Sequence, residues 1–401
     1  MNAPADIHEM KIMTQLPDMG SGPIPVEPYI SPAYFEKEKE QIFKKAWINI
    51  GRVSAHIPNP GDYMVRHLDF LNAPVIMVHG RDGVIRTFYN VCTHRGNSVA
   101  SGSGNARSAF VCGFHGWAFG LDGSLKTVPS EEQFPGLDRK QYGLKPIATE
   151  VWKGWIFINA QDKPHVPLVE FLGAMGEQLR DMPFDNYDHI GRYTVQLTCN
   201  WKAYVDAFQE AYHVGIVHAE SFPDMAPQPD MLVPTSFRTY GAHRSLSAWA
   251  FPGHVPTPAE AIAWRFGGAF TADEAREKPT YANPSSDDNW LFDINIFFPN
   301  FFLDVGTGWM LTYNFFPVSV HETLWEVNIY QLRVSAPSQK IAAEYTKIFT
   351  RDALYEDLST MEGVFRGMRS GAIKTILPGD FELPIRHHAW AVDQWVQGRP
   401  V

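Results

Sequence analysis

A chain of 401 residues, 45% hydrophobic and 19% charged, has an ordinary globular composition and is too long for one small core. Its net charge of -10 disfavours nucleic acid as a partner, and no stretch approaches the roughly 18 to 20 apolar residues of a membrane span. No basic region followed by an apolar run opens the chain, and three cysteines cannot build a disulfide framework, so a reducing cytoplasm is the expected compartment.

The first residues read as a loosely ordered arm. Residues 32–46 (PAYFEKEKEQIFKKA) place Tyr34, Phe35, Ile42, Phe43 and Ala46 among charges, as an amphipathic helix does. Together they form an N-terminal segment, 1–46. From Trp47 the texture changes to short β-rich runs (YMVRHL, APVIMVHG, VIRTFYNV, AFVCGF, GWIFINA) between Gly, Asp and Pro turns. That pattern predicts a small antiparallel β domain over 47–160. QDKPHVP is a linker, and 161–401 forms a second domain of mixed type.

Within it, VEFLGAMGEQLRDM is read as helix, RYTVQLTCNWK as strand and AYVDAFQEAYHVGIVH as helix. Residues 224–287 have weak periodicity and are expected to be irregular and partly mobile. NWLFDINIFFPNFFLDV, WMLTYNFFPV and LWEVNIYQLRV are expected to be successive strands of one sheet. IAAEYTKIFTRDALYEDLSTMEGVFRGMRSG is a long helical segment.

Two constellations carry chemistry. In the β domain, Cys92 and His94 lie in CTHRG, and Cys112 and His115 lie in CGFHGW. Each loop supplies one thiolate and one imidazole, the set that a [2Fe–2S] cluster with two Cys on one iron and two His on the other requires. Structural zinc of Cys2His2 type is the rival, but the interleaved order fits the usual C-x-x-C and H-x3-5-H spacing poorly. In the second domain His213 and His218 are five residues apart. On a regular helix they point about 140° apart, so they share a metal only if the helix ends or bulges between them, which Gly215 would permit. Fe(II) oxygenases use two His and one carboxylate on one face, leaving positions open. Cys199 is read as core packing. His56, His67, His165, His387 and His388 have no partner spacing and are read as surface or satisfied core residues.

These motifs resemble those of Rieske-type ring-hydroxylating non-haem iron oxygenases, and the likeness covers nearly the whole chain. CTHRGNSV and CGFHGWAFGLDGSL look like the two cluster loops; NWKAYVDAFQEAYHVGIVH looks like the iron-binding helix. Gly113 and Phe114 depart from the Pro and Tyr that many members carry, and Phe114 cannot donate a hydroxyl hydrogen bond. The resemblance implies an α+β fold, with a Rieske antiparallel β domain and a catalytic domain built on an antiparallel sheet with helices (helix-grip, START-like). It implies that the N-terminal helix packs on the catalytic part. It implies Cys92, His94, Cys112 and His115 as cluster ligands, and His213, His218 and Asp357 as ligands of a mononuclear Fe(II). Glu356 and Glu362 are the alternatives to Asp357, and all three acids can also be read as solvated helix charges. Glu210 would orient His213 and reach the outer cluster histidine, His115, of a neighbouring subunit, bridging the two centres.

The implied activity is that of an oxygenase component using O2 and NAD(P)H-derived electrons from a separate reductase, sometimes with a ferredoxin. The assembly would be a head-to-tail homotrimer, with or without a beta subunit. The aromatic strands favour an aromatic or alicyclic hydrophobic substrate. The alternatives are a quaternary amine held in a cation–π cage, which Glu210 in place of the commoner Asp supports, or oxidative demethylation. A Rieske electron carrier without oxygenase chemistry is the distant alternative.

Overall fold

The computed structural model describes residues 10–221, 234–249, 255–266, 281–288 and 290–401. The chain divides into two compact units, Phe43–Phe171 and Met1–Ile42 with Leu172–Val401.

In the unit Phe43–Phe171, the β-rich runs form a seven-stranded sheet. Its spatial order is Ile48–Arg52, Trp155–Asn159, Pro146–Trp152, Ile85–Tyr89, Ala73–His79, Asp62–Leu68, Ser103–Asn105. A three-stranded sheet of Leu125–Thr127, Ala118–Gly120 and Ala109–Val111 accompanies it. Ile76, Val78, Phe88, Phe110, Trp117 and Phe119 make one apolar core that also contains Cys92 and Cys112. The two cysteine loops are therefore anchored to the core at their thiols.

In the other unit, an eight-stranded sheet runs in the order Lys11–Ile12, Ser236–Tyr240, His243–Trp249, Trp290–Phe297, Phe301–Gly306, Trp309–Ser319, Glu322–Leu332, Tyr187–Leu197. Pairing is antiparallel except at one edge, where Lys11–Ile12 joins Ser236–Tyr240 in parallel. NWLFDINIFFPNFFLDV is a hairpin rather than one strand: Phe297 pairs with Phe301, and Pro299 falls in the turn, where it costs no ladder hydrogen bond.

Residues 224–287 depart from expectation. Ser236–Tyr240 and His243–Trp249 form a regular hairpin, and Pro258–Phe266 is a helix. The strand signal is masked because these strands bury polar groups. Arg238 donates to Ser236 and Ser247, and the Ser247 hydroxyl donates to Asp293 at 2.6 Å. Residues 281–287 are irregular, as expected, and 224–233, 250–254 and 267–280 lie outside the described residues.

The N-terminal helix packs within this second unit. It is α-helical only over Pro32–Glu38, capped by Ser31, and continues as a π-helical turn over Lys39–Phe43. Its buried Glu38 pairs with Lys202 at 2.5 Å and accepts the Trp201 indole N–H at 3.0 Å. The Tyr29 hydroxyl donates to Asp206 at 2.6 Å, and Asp206 also holds His388 Nδ1 at 2.6 Å. These contacts pin helix Trp201–Ala207, the element that leads into His213. A helix of 33 residues, Pro337–Arg369, brings Asp357 in from the other end of the sequence.

Candidate metal centres and substrate pocket

The two cysteine loops share one hydrogen-bond register. Cys92 N–H donates to Asn97 O and Gly96 N–H to Cys92 O; Cys112 N–H donates to Trp117 O and Gly116 N–H to Cys112 O, all at 2.8–3.0 Å. Gly96 and Gly116 take φ of 83° and 74°, which only glycine adopts without strain. The thiols of Cys92 and Cys112 meet, and the His94 and His115 rings lie 4.6 Å apart. Thiols are thus gathered on one side and imidazoles on the other, the donor set of a Rieske cluster rather than of a compact tetrahedral zinc site. The Asn97 amide donates to Cys112 Sγ at 3.7 Å, and Trp117 stacks on His94 at 4.9 Å. Burial pushes the Cys92 thiol up. At Cys112 burial is outweighed by the Phe114 N–H and by the thiol and amide neighbours, which hold it below its ordinary value.

The second site forms where the expected helix fails. Helix Trp201–Ala207 stops, residues 208–213 turn, and a single helical turn, Val214–Val217, separates the histidines. Gly215 lies inside that turn. The departure from α geometry falls at His218, whose ψ is 30°. The two rings come to 5.3 Å. Asp357 Oδ1 lies 3.4 Å from His213 Nε2 and 3.2 Å from His218 Nε2. One donor atom from each of the three falls within 4.8 Å of the others, and the set is two imidazoles and one carboxylate. That geometry fits a single Fe(II) held on one face.

The far nitrogen of each ring is held by a second carboxylate. His213 Nδ1 is 2.5 Å from Glu210 Oε1, whose other oxygen accepts the backbone N–H groups of Tyr212 and His213. His218 Nδ1 is 2.8 Å from Glu356 Oε2, and Glu356 also accepts Ser221 N–H at 3.0 Å. Glu356, named from the sequence as an alternative ligand to Asp357, is therefore a positioning residue; its place one residue before Asp357 on the helix is the available signal. Glu362 accepts Thr198 N–H at 3.1 Å, away from this set. Burial alone would depress His213, but Asp357 and Glu210 override it and raise its pKa to about 10. Asp357 is held below its ordinary range by both histidines, against the effect of burial.

His213, His218 and Asp357 open into a cavity of about 160 Å³. Its walls include the aromatic groups Phe208, Trp249, Phe292 and Tyr313. Cys199 is fully buried elsewhere in the unit, its thiol pushed up to about 12 by burial.

The Rieske [2Fe–2S] domain matches residues 47–145. The catalytic domain of the ring-hydroxylating alpha subunit matches residues 184–398, more than half of the chain. The chain belongs to the ring-hydroxylating alpha-subunit family. It is the oxygenase component of a Rieske oxygenase, with a [2Fe–2S] cluster and a mononuclear iron as cofactors, and members of the family draw electrons from a reductase and form oligomers. The catalytic domain sets aside the electron-carrier reading. The carnitine monooxygenase oxygenase subunit of Acinetobacter baumannii is 28% identical over 347 residues, 85% of this chain and 84% of that one. The large oxygenase component of the naphthalene 1,2-dioxygenase system of Pseudomonas aeruginosa is 36% identical over 198 residues, 47% of this chain and 42% of that one. Among solved structures, a quaternary ammonium Rieske monooxygenase in complex with an inhibitor superimposes with a TM-score of 0.75 at 26% identity, covering 94% of this chain and 95% of that one. No helix among the described residues is long and apolar enough to cross a membrane.

Proposed function

We propose that this oxygenase component acts on a quaternary amine, which it hydroxylates in the cavity beside His213, His218 and Asp357. Those three residues would hold the mononuclear iron, and their convergence on one cavity wall is the observation that carries the reading. Iron in such a site supplies O2 activation. Cys92 and Cys112 would bind one iron of the cluster, and His94 and His115 the other. In the overall reaction one atom of O2 enters a C–H bond and the other leaves as water, consuming two protons and two electrons from NAD(P)H. Glu210 and Glu356 fix the ring orientations of His213 and His218, and the apolar walls exclude bulk water.

The substrate class rests on the aromatic lining, whose ring faces attract a quaternary nitrogen, and on the likeness to carnitine monooxygenase subunits over most of the chain. This reverses the order that the aromatic strands alone suggest. The second reading, an aromatic or alicyclic hydrocarbon, keeps support from Leu246, Leu291 and Ile294 in the lining and from the likeness to a naphthalene dioxygenase component. A panel with a surrogate reductase, scored by hydroxylated product rather than NADH loss, separates them. Product is expected from trimethylammonium compounds; product from aromatic hydrocarbons alone overturns the first reading.

Glu210 would also connect the two centres across a subunit boundary in a head-to-tail trimer. Ile216, 83% exposed, lies in the turn between His213 and His218 and exposed Tyr212 lies next to His213, while Phe114, 55% exposed, lies against the exposed His115. Apolar groups beside each centre suit burial against another copy.

Cys112→Ser is expected to remove the visible absorption of the cluster and all NADH-dependent turnover, because a hydroxyl is a poorer iron ligand than a thiolate. Protein that as purified holds zinc and no acid-labile sulfide contradicts the cluster assignment.

A further inference from the structure

The sheet face that floors the cavity is mostly apolar. Leu246 pairs with Ile294 and Ala248 with Phe292, and all four line the cavity. In the next strand, the residue opposite Ile294 is Asp304. It lines the same cavity and is only 4% exposed. A lone carboxylate among aliphatic and aromatic side chains is costly to bury unless a positive charge or several donors meet it. Among the described residues Asp304 meets one donor, the Tyr313 hydroxyl, and its Oδ1 has no hydrogen-bond partner. The other carboxylates of the cavity are engaged: Glu210 with His213, and Asp357 with both histidines.

We propose that Asp304 is the anchor for the cationic nitrogen of the substrate, and that it sets a preference for quaternary amines over neutral molecules of the same shape. This rests on the quaternary-amine reading above and assigns its selectivity to one residue. The aromatic groups Phe208, Trp249, Phe292 and Tyr313 line the cavity that holds this carboxylate, so a trimethylammonium group meets ring faces and a counter-charge together. Burial pushes the Asp304 carboxyl well above the ordinary range, as for an acid without a permanent counter-ion, so it carries its charge only once a cation is bound beside it.

Choline and 3,3-dimethylbutan-1-ol make the test, since they differ only in a quaternary nitrogen replaced by carbon. Both are titrated by calorimetry into the full-length protein carrying its cluster and iron. The wild type is expected to bind choline more tightly than the neutral isostere. Asp304→Asn, which keeps size and an acceptor for Tyr313, is expected to weaken choline binding roughly 30-fold or more while leaving the isostere unchanged. Unchanged isostere binding also reports an intact pocket; if the asparagine variant does not fold, Asp304→Ser carries the same expectation. A wild type that prefers choline and an Asp304→Asn variant that keeps this preference would overturn the anchor while leaving the substrate reading in place. Equal binding of the two probes by the wild type would overturn both.

Discussion

Replacing Asp357 with alanine is expected to drop oxygenation below detection and to release the mononuclear iron while the cluster spectrum stays intact. Asp357 is the one anion among the three converging donors, and its Oδ1 lies between the two Nε2 atoms. Without it, two neutral imidazoles are left to hold Fe(II), which is insufficient for tight binding. Iron analysis should show a loss of about one iron per chain, with acid-labile sulfide unchanged. Glu356→Gln is the informative contrast. It touches His218 at the nitrogen that faces away from the site, so it should weaken iron binding roughly 10- to 100-fold, not abolish it. Full iron and activity in Asp357→Ala, with both lost in Glu356→Ala, would show that the ligand lies one residue earlier on the helix.

Glu210→Gln is expected to leave both metals in place and the cluster reducible, yet to slow transfer between the centres by roughly 10- to 100-fold. The Glu210 carboxylate accepts from the His213 ring with one oxygen and from two backbone N–H groups with the other. A carboxamide keeps the size, but loses the charge and offers a donor where two acceptors stood. The experiment reduces the cluster beforehand, adds O2 and substrate, and follows cluster reoxidation together with product. Reoxidation in Glu210→Gln at the wild-type rate, with full product yield, would mean that Glu210 orients nothing of consequence.

The cluster loops were legible in the sequence because each is local: Cys and His within one turn, closed by Gly96 or Gly116, set between β-rich runs. The strands with aromatic and β-branched residues were legible for the same reason. The mononuclear site was expected by resemblance, not by periodicity, since the helix ends at Ala207 and only a short helical turn, Val214–Val217, lies between His213 and His218. Ser236–Trp249 escaped because Arg238, His243, Arg244 and three serines are buried in it beside Phe237 and Leu246, which breaks the alternation that marks a strand. The supports of helix Trp201–Ala207 were equally hidden: Tyr29 and His388 reach Asp206 across separations of 177 and 182 residues. His388, read as a surface or satisfied core residue, is buried and holds Asp206 of the helix that leads into the site. Asp304 sits in a run whose only sequence signal is strand, so nothing short of the sheet register marks it as facing the cavity.

A single turnover of the wild-type enzyme with isotopically labelled O2 tests the two-centre oxygenase chemistry most directly. The protein is reduced chemically at its cluster, freed of excess reductant, and mixed with labelled O2 and a trimethylammonium substrate. The reduced-cluster signal is expected to disappear as a product carrying one labelled oxygen atom forms, in proportion to the iron bound at His213, His218 and Asp357. Reoxidation of the cluster without label in any product, or labelled product from protein emptied of that iron, would contradict it.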